Sequence, residues 1–180
     1  MARSAPIPRL VQPLTDGAVV VRHRRTSDVE GIAAASHDPE TLRWLSDPAM
    51  DAQARRASMD RVDDAWRTGR AAPLTIADAH TDHAVGIINL QFRSDTEASL
   101  AYSVFPDHRG RGVAPRAVQL VTSWAIRDLG VAQVLLEADE ANASSVRVAE
   151  KCGFQQIDTR SETGPNGQTR TMITFVRSVQ

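Results

Sequence analysis

Cysteine is nearly missing: Cys152 is the single one in 180 residues. No internal disulfide can form, and there is no Cys-x-x-Cys pair for zinc or redox work. Lysine also occurs once, at Lys151, so a P-loop, which sets Gly-Lys-Ser/Thr beside its phosphates, is excluded. His23, His37, His80, His83 and His108 share no helix face at ligand spacing, and no metal site is expected. No apolar run approaches the ~18 to 20 residues of a membrane-spanning helix. Residues 1–12 lack the apolar centre of a secretory signal, so a cytoplasmic location is expected. Excess charge of one sign is missing too: 21 basic against 22 acidic side chains leave a net charge of -1. Such a balance offers no general attraction to nucleic acid or an anionic membrane, and any anion site must be local.

What is present reads as one ordinary globular domain, with 42% hydrophobic and 24% charged residues. Residues 1–16 hold Pro6, Pro8 and Pro13 without periodicity, which predicts a flexible arm before a domain over 17–180. The β-branched run Val19, Val20, Val21 predicts a strand. Ser27 and Glu30 at capping-box spacing start a helix that ends at Asp38-Pro39. A short helix holding Leu42 and Leu45 follows, then one amphipathic helix over 51–67. Residues 72–77, 84–92 and 98–105 alternate or run apolar across short polar connections, as antiparallel strands do. Residues 113–129 return to helical period and stop at Gly130. A strand over 134–136, a helix over 142–151 and strands over 154–158 and 171–176 complete a mixed α/β order, not a doubly wound sheet.

The segment Phe105-Pro-Asp-His-Arg-Gly-Arg-Gly-Val-Ala-Pro115 stands between a strand and the long helix. Gly110 and Gly112 permit positive φ and close approach of a ligand. The helix start bares N–H groups and a partial positive charge, which suits a diphosphate. Pro115 is favoured in a first helical turn. Arg109 and Arg111 add charges able to grip phosphate oxygens. A dinucleotide-binding oxidoreductase matches only in part, because Pro115 takes the third small position and too little chain follows Glu137.

Arg109-Gly-Arg-Gly112-Val-Ala114 resembles the Arg/Gln-x-x-Gly-x-Gly/Ala motif of the GNAT superfamily of acyl-CoA N-acyltransferases. Val21-Arg22 with Asp28, residues 38–45, Tyr102-Ser-Val-Phe-Pro106, Asn142-Ala-Ser-Ser145 and Lys151-Cys-Gly-Phe154 are similar to its RimJ/RimL-like branch. The resemblance spans nearly the whole chain. It implies a GNAT fold: a mixed, mostly antiparallel central sheet of about seven strands, helices on both faces, and a central strand pair that splays around acetyl-CoA. The backbone of Val104 and Phe105 would then meet the pantetheine amides. Arg109, Gly110, Arg111, Gly112, Val113 and Ala114 would take the pyrophosphate. Asn142 would touch the pantetheine arm, cap its helix, or do both.

The implied reaction is direct attack of a primary amine on the thioester in a ternary complex. The acceptor is a protein N-terminal α-amine or a small-molecule amine, and a homodimer is compatible with the family. Ser145 stands at the family's proton-donor position, where it equally suits a helix first turn. The family's glutamate three residues before the strand tyrosine is replaced by Ser99, which cannot serve as a base at neutral pH. Glu97, on the same strand face about 6.6 to 6.8 Å away, is the first substitute, through a water, and Glu137 and Asp139 follow it. Trp44 and Asp47 border the implied acceptor site. Cys152, late in its helix, reads as packing and not as an acyl carrier. Because the family base is missing, the alternative is a GNAT-fold module that binds acyl-CoA without turnover.

Overall fold

The computed structural model describes residues 3, 5–45, 47–164 and 167–179. Its eight strands are β1 (Leu14–Thr15), β2 (Val19–His23), β3 (Ala71–Asp78), β4 (Ala84–Phe92), β5 (Glu97–Val104), β6 (Gln133–Asp139), β7 (Gln155–Thr163) and β8 (Thr169–Ser178). They form one sheet in the order β1-β2-β3-β4-β5-β6-β8-β7. Every neighbouring pair is antiparallel except β5 and β6. A parallel pair needs a crossover, which α5 (Val113–Arg127) supplies. The remaining helices are α1 (Val29–Ser36), α2 (Pro39–Trp44), α3 (Ala52–Arg56), α4 (Ser58–Arg67) and α6 (Ala143–Lys151).

Strand alternation sorts the side chains onto two faces. Leu74, Ile76, Ile88 and Leu90, all fully buried, join Val118 and Val121 of α5 and Trp66 of α4 in one core. Trp66 and Trp124 touch at 6.3 Å between ring centroids, which places α4 beside α5. Cys152 Sγ donates to the Pro115 carbonyl at 3.3 Å and holds α6 to the same side. On the opposite face Thr75 Oγ1 donates to Asp28 at the start of α1. Helices therefore cover both faces, and α1 has the second face largely to itself.

Two expectations change. The single helix over 51–67 is two, α3 and α4, meeting at Ala57. No residue of α3 is buried, whereas Val62, Ala65 and Trp66 of α4 are, so the core aligns only the second half. Residues 1–16 are expected to be a loose arm, yet Ile7 is buried and its N–H donates to the Trp66 carbonyl. Leu10 N–H donates to His23 Nε2 at 3.0 Å, and Leu14–Thr15 adds the eighth strand to the sheet. The prolines that read as disorder serve a segment that packs through Ile7, Leu10 and Leu14.

At the open end of β5, Gly86 of β4 lies opposite Val104. A Cβ on Gly86 would stand 2.6 Å from the Ser103 carbonyl oxygen, so only glycine lets the two strands approach there. Among the described residues no helix is long and apolar enough to cross a membrane.

Candidate functional site

β5 and β6 pair through Leu100 opposite Leu136 and no further. Past that point Ala101–Val104 and Glu137–Asp139 diverge, and this is the splayed pair that the sequence leads one to expect. Phe105 N–H donates back to Val85 of β4. By antiparallel alternation the main-chain groups of Tyr102 and Val104 face the gap instead. The expectation for Phe105 is corrected here: its N–H belongs to the sheet, and Tyr102 takes its place beside Val104.

The loop after β5 makes one turn of 3₁₀ helix over Pro106–His108, and Gly110 and Gly112 follow at φ +71° and +74°. Only glycine holds such angles without strain. Gly112 is the N-cap of α5, and no side chain caps that end. The N–H groups of Val113 and Ala114 are thereby left without protein partners among the described residues, and Pro115 has none to offer. Open space surrounds both glycines. A helix of fifteen residues thus presents bare donors and its positive dipole end to whatever enters.

Arg109 and Arg111 part company. Arg109 Nη2 lies 2.8 Å from Asp38 Oδ2 and 2.9 Å from Thr41 Oγ1, Nη1 lies 3.0 Å from Glu40, and Nε donates to the Val104 carbonyl. This guanidinium is a strap from the loop to α2, not the phosphate ligand expected. Its contact holds the Asp38 carboxyl below the usual carboxylate range, together with the Thr41 amide. Arg111 is exposed and makes no side-chain bond among the described residues, so it remains available to an anion. Arg111→Ala is expected to weaken coenzyme binding roughly fivefold, the worth of about 1 kcal/mol for an exposed charged contact. Arg109→Ala should instead leave that affinity nearly unchanged and open residues 38–45 to protease. Calorimetric titration and limited proteolysis read the two effects.

Across the gap, Tyr102 Oη and Ser145 Oγ lie 3.1 Å apart and join β5 to the first turn of α6. Burial pushes the Tyr102 hydroxyl up to about 12, with Ser145 acting weakly in the other direction. The phenol therefore keeps its proton at any working pH and can only donate it. Asn142 caps α6, its Oδ1 accepting from Ser145 N–H at 3.1 Å. The cap fixes the backbone that carries Ser145. Sequence reasoning named Ser145 but gave Tyr102 no role. The available signal was that this is the chain's single tyrosine, on the strand entering the glycine loop.

Other expected residues fall away from the gap. Glu97 pairs with Gln133 at the closed end of the parallel segment and accepts from the Gln133 side-chain amide. It lies three residues, or about 10 Å, before the last paired rung. Ser99 is buried opposite Leu135. Glu137 is the first β6 residue past the split, but Arg160 Nη1 holds it at 2.8 Å. Asp139 accepts the Ala141 N–H as a turn residue. Trp44 ends α2 with its ring under the Arg43 guanidinium, and Asp47 is exposed beyond it. Cys152 is 2% exposed and burial pushes its thiol up to about 11, which leaves it inert as a nucleophile.

Comparisons agree with this geometry. A family model described as an acetyltransferase (GNAT) domain matches residues 19–155. An uncharacterized N-acetyltransferase, p20, of Bacillus licheniformis is 21% identical over 141 residues, covering 77% of this chain and 79% of that protein. RimJ of Mycobacterium smegmatis, solved with CoA-disulfide, superposes with a TM-score of 0.80 at 17% identity, covering 93% of this chain and 86% of RimJ. Spermidine N-acetyltransferase of Vibrio cholerae, solved with CoA and spermine, gives 0.80 at 14% identity, covering 91% and 96%. At these identities the solved structures establish the fold.

Proposed function

Because the chain belongs to the GNAT acetyltransferase family and is an acetyl-CoA-dependent acyltransferase, we propose that it acetylates a primary amine directly in a ternary complex, as a member of the RimJ/RimL-like branch. The observation that carries this reading is the opened β5–β6 gap with a proton-holding tyrosine across it. The residues present fit acetyl-CoA: a bare helix start for the diphosphate, and the main-chain groups of Tyr102 with the Val104 N–H for the pantetheine amides, the Val104 carbonyl being taken by Arg109 Nε. When bound, acetyl-CoA supplies an activated thioester carbonyl.

The chain's own groups then divide the work. Val113 and Ala114 N–H, with Arg111, hold the diphosphate, while Gly110 and Gly112 let the backbone come close. The main-chain groups of Tyr102 and the Val104 N–H align the arm. Tyr102 Oη would donate a proton to the departing sulfur and regain, through water, the one that the acceptor nitrogen sheds as the amide forms, while Ser145 Oγ, fixed through the Asn142 cap, orients that hydroxyl. The acceptor approaches from the α1 face, opposite the one on which α5 and α6 lie.

Among the described residues no carboxylate stands free beside the last paired rung, so the acceptor must arrive as its own free base. An α-amine at ~8 meets this demand more easily than a lysine side chain at ~10.4. The rate constant kcat/KM is expected to rise about tenfold per pH unit up to the pKa of the amine used. A plateau beginning two units lower would instead reveal a protein base. The reading as a whole is tested by thiol release from acetyl-CoA with a panel of amines. Tight coenzyme binding without release for any acceptor would overturn it in favour of a binding module.

A further inference from the structure

The end of β2 crowds three guanidiniums, Arg22, Arg24 and Arg25, beside two carboxylates, Asp28 and Asp82. Arg22 grips Asp28 through Nη1 and Nη2 at 2.8 and 3.0 Å and reaches Asp82 through Nε at 2.8 Å. Arg25 binds the other oxygen of Asp82. Asp28 also accepts from Arg25 N–H and Thr75 Oγ1. Both carboxylates are thus engaged, and among the described residues Arg24 is left without a counter-ion of its own. Arg24 is half-buried, with only neutral acceptors on Nη2: the Leu74 carbonyl at 3.2 Å and Asn89 Oδ1 at 3.3 Å. Its Nε is buried with no partner. Burial lowers its pKa to about 10, partly offset by Asp28, so it stays a cation at neutral pH. A cation whose Nε is sealed from water and which has no anion beside it is costly.

Its position gives that charge a use. Asn89 pairs with Ala101, and directly opposed residues share a sheet face. Ala101 is the first β5 residue past the last β5–β6 rung. The guanidinium therefore lies on the acceptor face, level with the apex of the gap and separated from it by β4 and β5. We propose that Arg24, seated beside Asn89, receives a carboxylate carried by the amine acceptor. This assignment rests on the acetyl-transfer reading and narrows it to amino carboxylates, in contrast to polyamines. Strand spacing of about 4.8 Å sets Asn89 roughly 7 Å from the middle of the gap. The carboxylate must then lie several bonds from the nitrogen, as in a linear ω-amino acid or a short peptide, and not on the same carbon.

Two measurements test this. The first compares kcat/KM for glycine, 4-aminobutyrate, 6-aminohexanoate, the primary amides of the last two, and spermidine. The longer acids should exceed their amides by at least about tenfold, the worth of a charged hydrogen bond, and Arg24→Met should bring that ratio close to one. The second needs no turnover: 4-aminobutyrate should raise the melting temperature of the CoA-loaded protein more than its amide does, and Arg24→Met should abolish the difference. Arg24→Met itself should melt no lower than the parent, because it removes a charge without a counter-ion; a lower melting point would show a structural role. Equal handling of acids and amides, an acid preference that survives in Arg24→Met, or spermidine as the best acceptor would overturn the proposal while leaving acetyl transfer standing. Carboxylate-specific stabilisation lost in Arg24→Met, with no amine acetylated, would uphold the anion site and remove the transferase reading.

Discussion

Asp28→Ala is expected to lower folding stability by about 3 to 5 kcal/mol, because it strands Arg22 as an uncompensated buried charge. The side chains of both partners are 4% exposed. Asp28 accepts four bonds that tie β2, the turn before α1 and β3 together, whereas the half-exposed carboxylate of Asp82 reaches only Nε of Arg22, its main-chain carbonyl taking Nη2. Urea unfolding measures the loss, and a cost under about 1 kcal/mol would mean that water reaches the pair as it does a surface bridge. Replacing both partners with apolar residues should recover much of the stability, since the desolvation penalty disappears with the charges.

The same carboxylate gives acid lability its sign. Burial alone would raise the Asp28 pKa, but the bonds from Arg22, Arg25 and Thr75 win and hold it below the ordinary value. A group lowered on folding contributes stability that is complete above its unfolded pKa, near ~3.9, and is lost as pH falls through the folded one. The gap in stability between parent and Asp28→Ala should therefore be constant at neutral pH and narrow below about pH 4.

Tyr102→Phe should have the largest effect on turnover. General-acid catalysis contributes roughly 10²- to 10⁴-fold, and the phenol is the one side-chain hydroxyl on β5 that spans the gap to Ser145. The variant loses a single oxygen from a half-buried ring, so the fold and the coenzyme affinity should hold while kcat falls by at least about a hundredfold. Ser145→Ala should cost less, and the double variant little more than Tyr102→Phe alone, because the two hydroxyls act as a unit. Single-turnover quench kinetics would show the fall in the chemical step. A kcat within a few-fold of the parent would pass the donor role to a water.

The sequence announced the frame of this molecule well. Residues 72–77, 84–92 and 98–105 anticipate β3, β4 and β5 within a residue or two, because alternation and short polar turns are local signals. The bare start of α5 was legible for the same reason: two glycines and a proline dictate a backbone whatever surrounds them. Arg109 shows the limit. Its motif suggests a phosphate ligand, but its partners Asp38, Glu40 and Thr41 lie about seventy residues away, and no spacing rule joins them. Glu97 erred through register: alternation gave the correct face, but where along β5 the strands part is decided by pairing with β6. The arm misled because proline content was weighed above Ile7, whose burial depends on Trp66. Arg24 has no signal of its own in the run Arg22-His-Arg-Arg25, since only packing reveals which guanidinium of three lacks a carboxylate.

The strap from Arg109 to α2 has a thermodynamic consequence. It ties the loop proposed to hold the coenzyme to α2, which contacts α1 on the face proposed for the acceptor, so an event that stiffens one is felt by the other. Reciprocity then demands that an acceptor which settles α2 tighten the hold on the coenzyme by the same factor that the coenzyme tightens the hold on the acceptor. Cutting the strap would uncouple the two affinities without removing a single atom from either pocket.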